Sequence, residues 1–513
     1  MNAQAEPTPL GGSLRAIVSI ALALGTFMQV LDTSIANVAI PTIAGNLAVS
    51  PDQGTWVITS FAVANGISVP MTGWLMQRYG VVRTFVFSVL AFTIASFLCG
   101  VSWNLSSLVA FRVLQGAVSG PMIPGSQALL LRLFPPEKKG TALAIWSITT
   151  LVAPVAGPVL GGYISDNWSW PWIFYINVPV GLISFFICYR ALIAHDTPTR
   201  RLPIDSVGMG LLMVWVGALQ VMLDNGKDLD WFASPAIVTL CVIAIVASIA
   251  WLIWELTEEH PIVDLTLFRS RSFTLGTISY CLAYAAFFGN VVLLPLWLQT
   301  QLGYTATWAG LVAAPAGLVS VLISPFVGRI VGRVDARWIA TVGFVSYAVS
   351  YFMRARFTQD VSFLSLVMPQ LVMGIGMGTF FIAMVSILLD GLPPERVPAA
   401  SGLSNFLRII ASAFATSITT TLWDRRETLH QAQLADSSSL YSPALQHAMN
   451  ALGSMGASTQ QAAGVLTQQL VKQSYLLSSL DYFWITGWLS LLPLVLVWLV
   501  HRPHSSEVVA AGD

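Results

Sequence analysis

The chain has 513 residues, 55% of them hydrophobic and 9% charged, and its 24 basic and 24 acidic side chains cancel. Soluble domains carry about 25% charge, so these values, with a mean hydropathy of +0.73, exclude a soluble globular protein and leave a polytopic, all-α membrane protein. The balanced charge singles out no partner class, and no nucleic-acid partner is expected. The first apolar stretch, about 16–40, is no cleavable signal: it is too long, carries Asp32 and has no small-residue cleavage site.

A helix needs about 20 apolar residues to cross the hydrocarbon core. That length predicts fourteen spans, at 15–40, 54–76, 83–102, 106–131, 140–164, 171–192, 206–223, 234–254, 272–299, 307–329, 338–353, 363–388, 400–423 and 480–500. With the N-terminus inside, 16 Lys and Arg fall on inner loops and six on outer ones (Lys227, Arg354, Arg356, Arg425, Arg426 and Lys472). Arg112 and Arg408 lie within spans. The 16-to-6 excess matches the positive-inside rule and predicts both termini in the cytoplasm.

The chain repeats itself. Pro135-Pro136-Glu137-Lys138 after the fourth span is echoed by Pro393-Pro394-Glu395-Arg396 after the twelfth, an offset of 258 residues. Gly73 with Arg78 after the second span is echoed by Gly328 with Arg333 after the tenth, an offset of 255. Parallel repeats of this kind mark transporters whose substrate site lies between the halves, near the bilayer midplane. The predicted organisation is 6+2+6: an N-terminal six-helix bundle over 1–200, a two-helix insert over 201–262, and a C-terminal six-helix bundle over 263–513. The last contains an outer loop, 424–479, rich in Gln, Ser and Ala, with one helix expected near Thr459–Leu477. That loop is either a mobile connection or a docking surface for a periplasmic partner.

Few residues carry chemistry. Asp32 is the only acid expected deep inside a span, where a carboxylate costs about 2.5–3.5 kcal/mol. It lies about 13 Å along its helix from the outer end, and Arg112 about 9 Å along the fourth span. At similar depth each lowers the cost of burying the other. Burial and a neighbouring guanidinium pull a carboxyl group in opposite directions, and a cavity that opens to alternate sides can shift that balance, as a proton coupler requires. A static ion pair that fixes packing is the competing reading. Arg408 has no acid of the second half as an obvious partner, so packing and substrate contact are equal readings for it. Gly157-Pro158-Val159-Leu160-Gly161-Gly162 in the fifth span suits a helix that bends or slides against a neighbour. Trp146, Tyr284, Phe287, Phe288, Trp297, Phe380, Phe381 and Phe406 are candidates for an apolar cavity, although packing is the better reading for any single one. A Walker A sequence is absent, which argues against ATP as the energy source. All six histidines lie in loops or near span ends, and no nucleophile–base pair is evident, so the chain is not read as an enzyme. Cys99, Cys188, Cys241 and Cys281 fall in apolar spans without CxxC spacing, so neither a disulfide nor a metal site is expected.

Leu31-Asp32-Thr33-Ser34-Ile35-Ala36-Asn37-Val38-Ala39-Ile40-Pro41 resembles the first-helix motif of the fourteen-span drug:proton antiporters of the major facilitator superfamily. Arg112-Val113-Leu114-Gln115-Gly116 resembles the superfamily's fourth-helix motif, Gly157 to Gly162 its fifth-helix antiporter motif, and Trp172 to Pro179 a further marker. Within the family, Met28–Leu47 and Ser417–Gln433 are most similar to inner-membrane pumps of tripartite multidrug exporters. There are departures: Gln77 stands where the loop after the second span usually carries an acid, and Trp170-Pro171-Trp172 replaces a Trp-Arg-Trp.

The resemblance implies a proton-driven efflux pump of a bacterial inner membrane. It would export hydrophobic toxic compounds by alternating access, with the proton gradient in place of a cofactor. Asp32 and Arg112 would couple protons. Gly157, Pro158, Gly161 and Gly162 would serve the conformational change, and Gly73, Arg78, Gly80 and Arg83 a gating loop. Asn37, Gln115, Tyr284, Phe287 and Arg408 are candidates for the substrate cavity. The implied partners are a periplasmic adaptor of the EmrA type and an outer-membrane channel of the TolC type. Two alternatives stand beside this reading: a proton-coupled symporter of a metabolite, and a receptor or scaffold acting through the outer loop.

Overall fold

A computed structural model describes residues 12–135, 138–200, 203–437 and 443–500. Pro136 and Glu137 of the first Pro-Pro-Glu motif, and both termini, lie outside the described residues. Every regular element among them is helical. Ten stretches are long and apolar enough to cross a membrane, the most apolar being Pro235–Thr257.

In the first half, α1 (Gly12–Asn46) is followed by a short α2 (Pro51–Gly54), then α3 (Trp56–Ser68) and α4 (Thr72–Tyr79). The predicted second span is therefore two helices. Pro70 has no N–H to donate, and the chain turns there before Met71 caps α4. After α5 (Val81–Gly100), the predicted fourth span is likewise divided into α6 (Leu105–Ser119) and α7 (Met122–Leu133) by Gly120-Pro121. α8 (Lys139–Asn167) runs unbroken through its prolines. α9 (Trp172–Tyr175) and α10 (Asn177–Leu192) complete this half. The insert is a pair, α11 (Ser206–Asn225) and α12 (Pro235–Thr257), packed on each other, with α11 also against α3.

The second half comprises α13 (Arg271–Thr300), α14 (Ala306–Ile330), α15 (Ala336–Arg354), α16 (Phe363–Leu388), α17 (Val397–Ser437), α18 (Pro443–Ser454), α19 (Thr459–Leu489) and α20 (Leu492–Trp498). The stretch 424–479, expected as a loop with one helix, is helical over most of its length. α17 continues past the predicted span end to Ser437, and α19 starts at Thr459, as its apolar spacing predicts. Polar side chains clamp the two extensions together. Trp423 Nε1 donates to Ser479 Oγ at 2.9 Å, and Asp481 holds Arg426 at 2.9 Å and His430 at 2.7 Å.

The halves meet along α8 and α14, and α17 reaches back to α4 and α7. The contact is closest at the ends of these helices beside the basic loops. There Gly73 of α4 faces Ala399 of α17, Gly328 of α14 faces Gly140 of α8, and Asn405 Nδ2 donates to Gln127 Oε1 at 3.4 Å.

Candidate functional site

Asp32 lies mid-helix in α1 with 2% of its surface exposed, and Arg112 in α6 is fully buried. They touch. Arg112 Nη1 donates to Asp32 Oδ2 at 2.5 Å. The other carboxylate oxygen, Oδ1, accepts from Asn177 Nδ2 at 2.8 Å and from Gln115 Nε2 at 3.2 Å. Gln115 closes the ring, its Oε1 accepting from Arg112 Nη1 at 2.8 Å. Arg112 Nε donates to the Val57 carbonyl at 2.9 Å, and its guanidinium lies 4.3 Å from the centre of the Phe61 ring. Four helices thus converge on one carboxylate: α1 supplies it, α6 the cation and one amide, α10 the other amide, and α3 the carbonyl and ring that hold the cation. A buried ion pair tolerates its desolvation only when further hydrogen bonds satisfy the remaining atoms. Here both Asp32 oxygens are satisfied, and Arg112 Nη2 alone lacks a partner.

The glycines of the fifth-helix motif bear on the same helix. A β-carbon on Gly157 would lie 2.2 Å from Ser34 Oγ, and one on Gly161 would lie 3.2 Å from the Ile35 carbonyl. Ser34 in turn donates to the Pro154 carbonyl at 3.0 Å. Small residues let α8 lie directly on α1 two and three residues beyond Asp32.

The second-half candidates form a separate cluster. The Arg408 guanidinium sits 4.4 Å above the Tyr284 ring, which packs against Phe287, Phe288 and Phe381. Trp146 of the first half approaches Phe381 at 6.4 Å, and Phe380 lies 4.4 Å from Phe381. Six of the eight aromatics singled out by sequence therefore gather in one interface cluster. Trp297 stacks on Phe357 instead, and Phe406 meets Trp215 edge to face. Of the cavity candidates, Gln115 belongs to the Asp32 ring, and Asn37 is exposed and joins neither cluster. Phe287 also lines a cavity of about 30 Å³ between Pro154 of α8 and Asn290, Gln370 and Met373 of the second half.

At the turn between α4 and α5, Gly80 has φ +95°, a conformation that glycine adopts without strain. An acid does serve this turn, though not at position 77. Asp196, after α10, accepts from the backbone N–H of Val82 at 2.8 Å and of Arg83 at 3.1 Å, and so caps α5. Arg78 packs on Trp74 and Tyr79. The Arg83 side chain is mostly exposed, 3.8 Å from Asp196. Among the described residues no three His, Cys, Asp or Glu side chains gather as a metal site would require, and all four cysteines are free.

The geometry thus comprises a buried carboxylate–guanidinium pair in one half, an aromatic cluster across the seam and glycines at the points of contact. The Major Facilitator Superfamily profile matches residues 22–416. The chain belongs to that superfamily. It is 50% identical over 502 residues to the Multidrug export protein EmrB of Escherichia coli (strain K12), covering 98% of both chains. It is 46% identical over 498 residues to the Fatty acid resistance protein FarB of Neisseria gonorrhoeae, covering 97% of this chain and 98% of that one. The structure of the proton:xylose symporter XylE matches with a TM-score of 0.60 at 14% identity, over 96% of this chain and 97% of that one. At that identity it establishes the fold alone. This is a multi-span membrane protein of the major facilitator type, a fold of transporters rather than enzymes.

Two residues of these sites were not singled out by sequence. Asn177 stands inside the Trp172–Pro179 marker, and a lone polar residue at the start of an apolar helix was the available signal. Asp196 had none, because only the fold brings it beside α5. The structure also buries two acids at the ends of the insert helices, Asp205 and Glu255. A further buried acid, Glu427, lies in the part of α17 beyond the predicted span, and among the described residues Asp32 is the buried acid at the middle of a predicted span.

Proposed function

We propose that this protein is a proton-driven exporter of hydrophobic toxic compounds that works by alternating access. Its bacterial relatives, matched over nearly their full length, include a multidrug export protein and a fatty acid resistance protein. The reading places fourteen crossings, arranged 6+2+6, in a bacterial inner membrane with both termini cytoplasmic. The outer hairpin of α17 and α19 would dock an EmrA-type adaptor that leads to a TolC-type channel.

The observation that carries the reading is the contact of Asp32 with Arg112, sealed by Gln115 and Asn177. A proton arriving on Asp32 removes the charge that holds Arg112 and loosens α1 from α6. Because α8 lies on α1 at Ser34 and Ile35, that loosening reaches the helix that also packs along α14. The seam between the halves then shifts, the apolar cluster opens to the other side, and drug and proton exchange. The gradient supplies about 2.3 kcal/mol per charge and 100 mV, and no cofactor enters the cycle.

The test is proton flux in liposomes reconstituted with the purified protein. Addition of a hydrophobic drug should drive proton movement in the wild type and not in Asp32→Asn. Full drug-driven flux in that variant would sink the assignment.

A further inference from the structure

α1 and α8 touch through glycine near Asp32, where Gly157 and Gly161 lie against Ser34 and Ile35. Nearer the basic loops the same two helices leave a groove of about 640 Å³ between them. Pockets that take a whole small molecule span roughly 300–1,000 Å³, so this groove has room for far more than a single polar group. Ala16, Ile20, Leu24 and Phe27 of α1 and Ile145 and Ile148 of α8 line it. Two of its three hydroxyls are spent within their own helices: Ser19 Oγ donates to the Arg15 carbonyl and Thr149 Oγ1 to the Trp146 carbonyl, both at 2.7 Å. Ala16 and Ile20 are exposed. Gly140 and Ala144, which meet Gly328 at the seam, lie on another face of α8 from Ile145 and Ile148. The groove therefore opens toward lipid and not toward the seam.

One end of the groove is charged. Arg15, also in its lining, is half-buried, with its guanidinium 5.6 Å from the centre of the Phe134 ring. No carboxylate forms an ion pair with it among the described residues. Lys139, the first residue of α8, is exposed at the same end. From Arg15 to Phe27 the helix rises about 18 Å, close to half of a hydrocarbon core about 30 Å thick. The groove thus spans one leaflet, apolar along its length and cationic at its polar boundary. Basic pockets between membrane helices at that boundary bind anionic head groups, and each Lys or Arg near the surface favours them about fivefold.

We propose that this groove is a binding site for an anionic phospholipid, with one acyl chain laid between α1 and α8 and the phosphate held by Arg15. A chain seated there fills the gap at the base of the helix that carries Asp32, and so sets the angle of that helix to α8. The inference needs the membrane-spanning fold alone and does not depend on the export reading.

The test places full-length protein in phosphatidylcholine nanodiscs that carry a small fraction of a photoreactive lipid. The two probes are phosphatidylglycerol and phosphatidylcholine with the same diazirine-bearing acyl chain, and mass spectrometry maps the cross-linked residues. In wild type the phosphatidylglycerol probe should label residues 12–27 and 141–149 at least about fivefold more than the phosphatidylcholine probe. Arg15→Gln should bring the two probes to equal labelling, and Arg15→Lys should retain most of the preference. Ile20→Trp, which fills the groove from its exposed side, should reduce labelling there by both probes and leave labelling elsewhere unchanged. Equal labelling by the two probes in wild type would overturn the proposal, as would a preference that survives Arg15→Gln. Absence of label from the groove would overturn it too, because something other than lipid then fills the space.

Discussion

The carbonyl oxygen of Gly328 lies 2.0 Å from where a β-carbon on Gly140 would sit, so α14 and α8 meet backbone to backbone. The counterpart contact is Gly73 against Ala399, 2.9 Å from its would-be β-carbon. Gly73 and Gly328 are the echoed glycines after the second and tenth predicted spans. Gly140 and Ala399 open the helices that follow the two Pro-Pro-Glu motifs. The two repeated motifs are therefore partners: each glycine closes on the helix start of the opposite half. Such a seam can separate and re-form as a unit, as alternating access requires.

Gly140→Val should hold this seam open. Overpacking a closed contact costs about 1–3 kcal/mol, enough to shift a two-state equilibrium by roughly five- to 150-fold. Spin labels at the starts of α8 and α17 should report a longer mean distance than in wild type. An unchanged distance distribution would show that the neighbouring helix yields at no cost.

Arg112→Ala leaves Asp32 as a buried charge without its cation, which costs about 3–5 kcal/mol. Asp32→Asn in the same chain removes that charge, so the double variant should be more stable than Arg112→Ala alone. Thermal unfolding of the four proteins in detergent gives the coupling energy. Simple additivity would mean that the two side chains do not act together.

Asn177→Ala takes one of two amide donors from Asp32 Oδ1. Hydrogen bonds to charged groups contribute about 1.5–3 kcal/mol. The variant should unfold at lower temperature and lose drug-driven proton flux in part. A variant equal to wild type in both would remove Asn177 from the site.

Asp196→Ala should cost about 0.5–2 kcal/mol, the usual loss when a helix cap is removed, while Asp196→Asn should retain part of that. Backbone hydrogen exchange of Val82 and Arg83 is the direct measurement. Exchange as slow as in wild type would mean that the cap contributes nothing.

Deletion of α18 at the tip of the outer hairpin should abolish capture of an EmrA-type adaptor and leave drug-driven proton flux in liposomes intact. The clamp of Trp423 on Ser479 and of Asp481 on Arg426 lies below the deletion, so the spans keep their packing. Undiminished capture would move the docking surface elsewhere.

Apolar runs were enough to specify an all-helical membrane protein, because a bilayer leaves a buried backbone few alternatives to the helix. The expense of one mid-span carboxylate was enough to single out Asp32, and depth counting brought Arg112 beside it, since helix rise converts residue number into distance. The repeats were legible for the same reason: position along a chain survives without knowledge of packing. Sequence could not show that Gly73 and Gly328 each close on the other motif's helix, nor that Asn177 and Asp196 finish sites begun 145 and 114 residues earlier. It also placed Arg354 among the outer loop charges, where its position along the chain belongs. Only tertiary structure turns that side chain inward, fully buried with Nη2 3.2 Å from Met373 Sδ, because the direction a long side chain takes from a helix end is set by the neighbours that line its two possible paths.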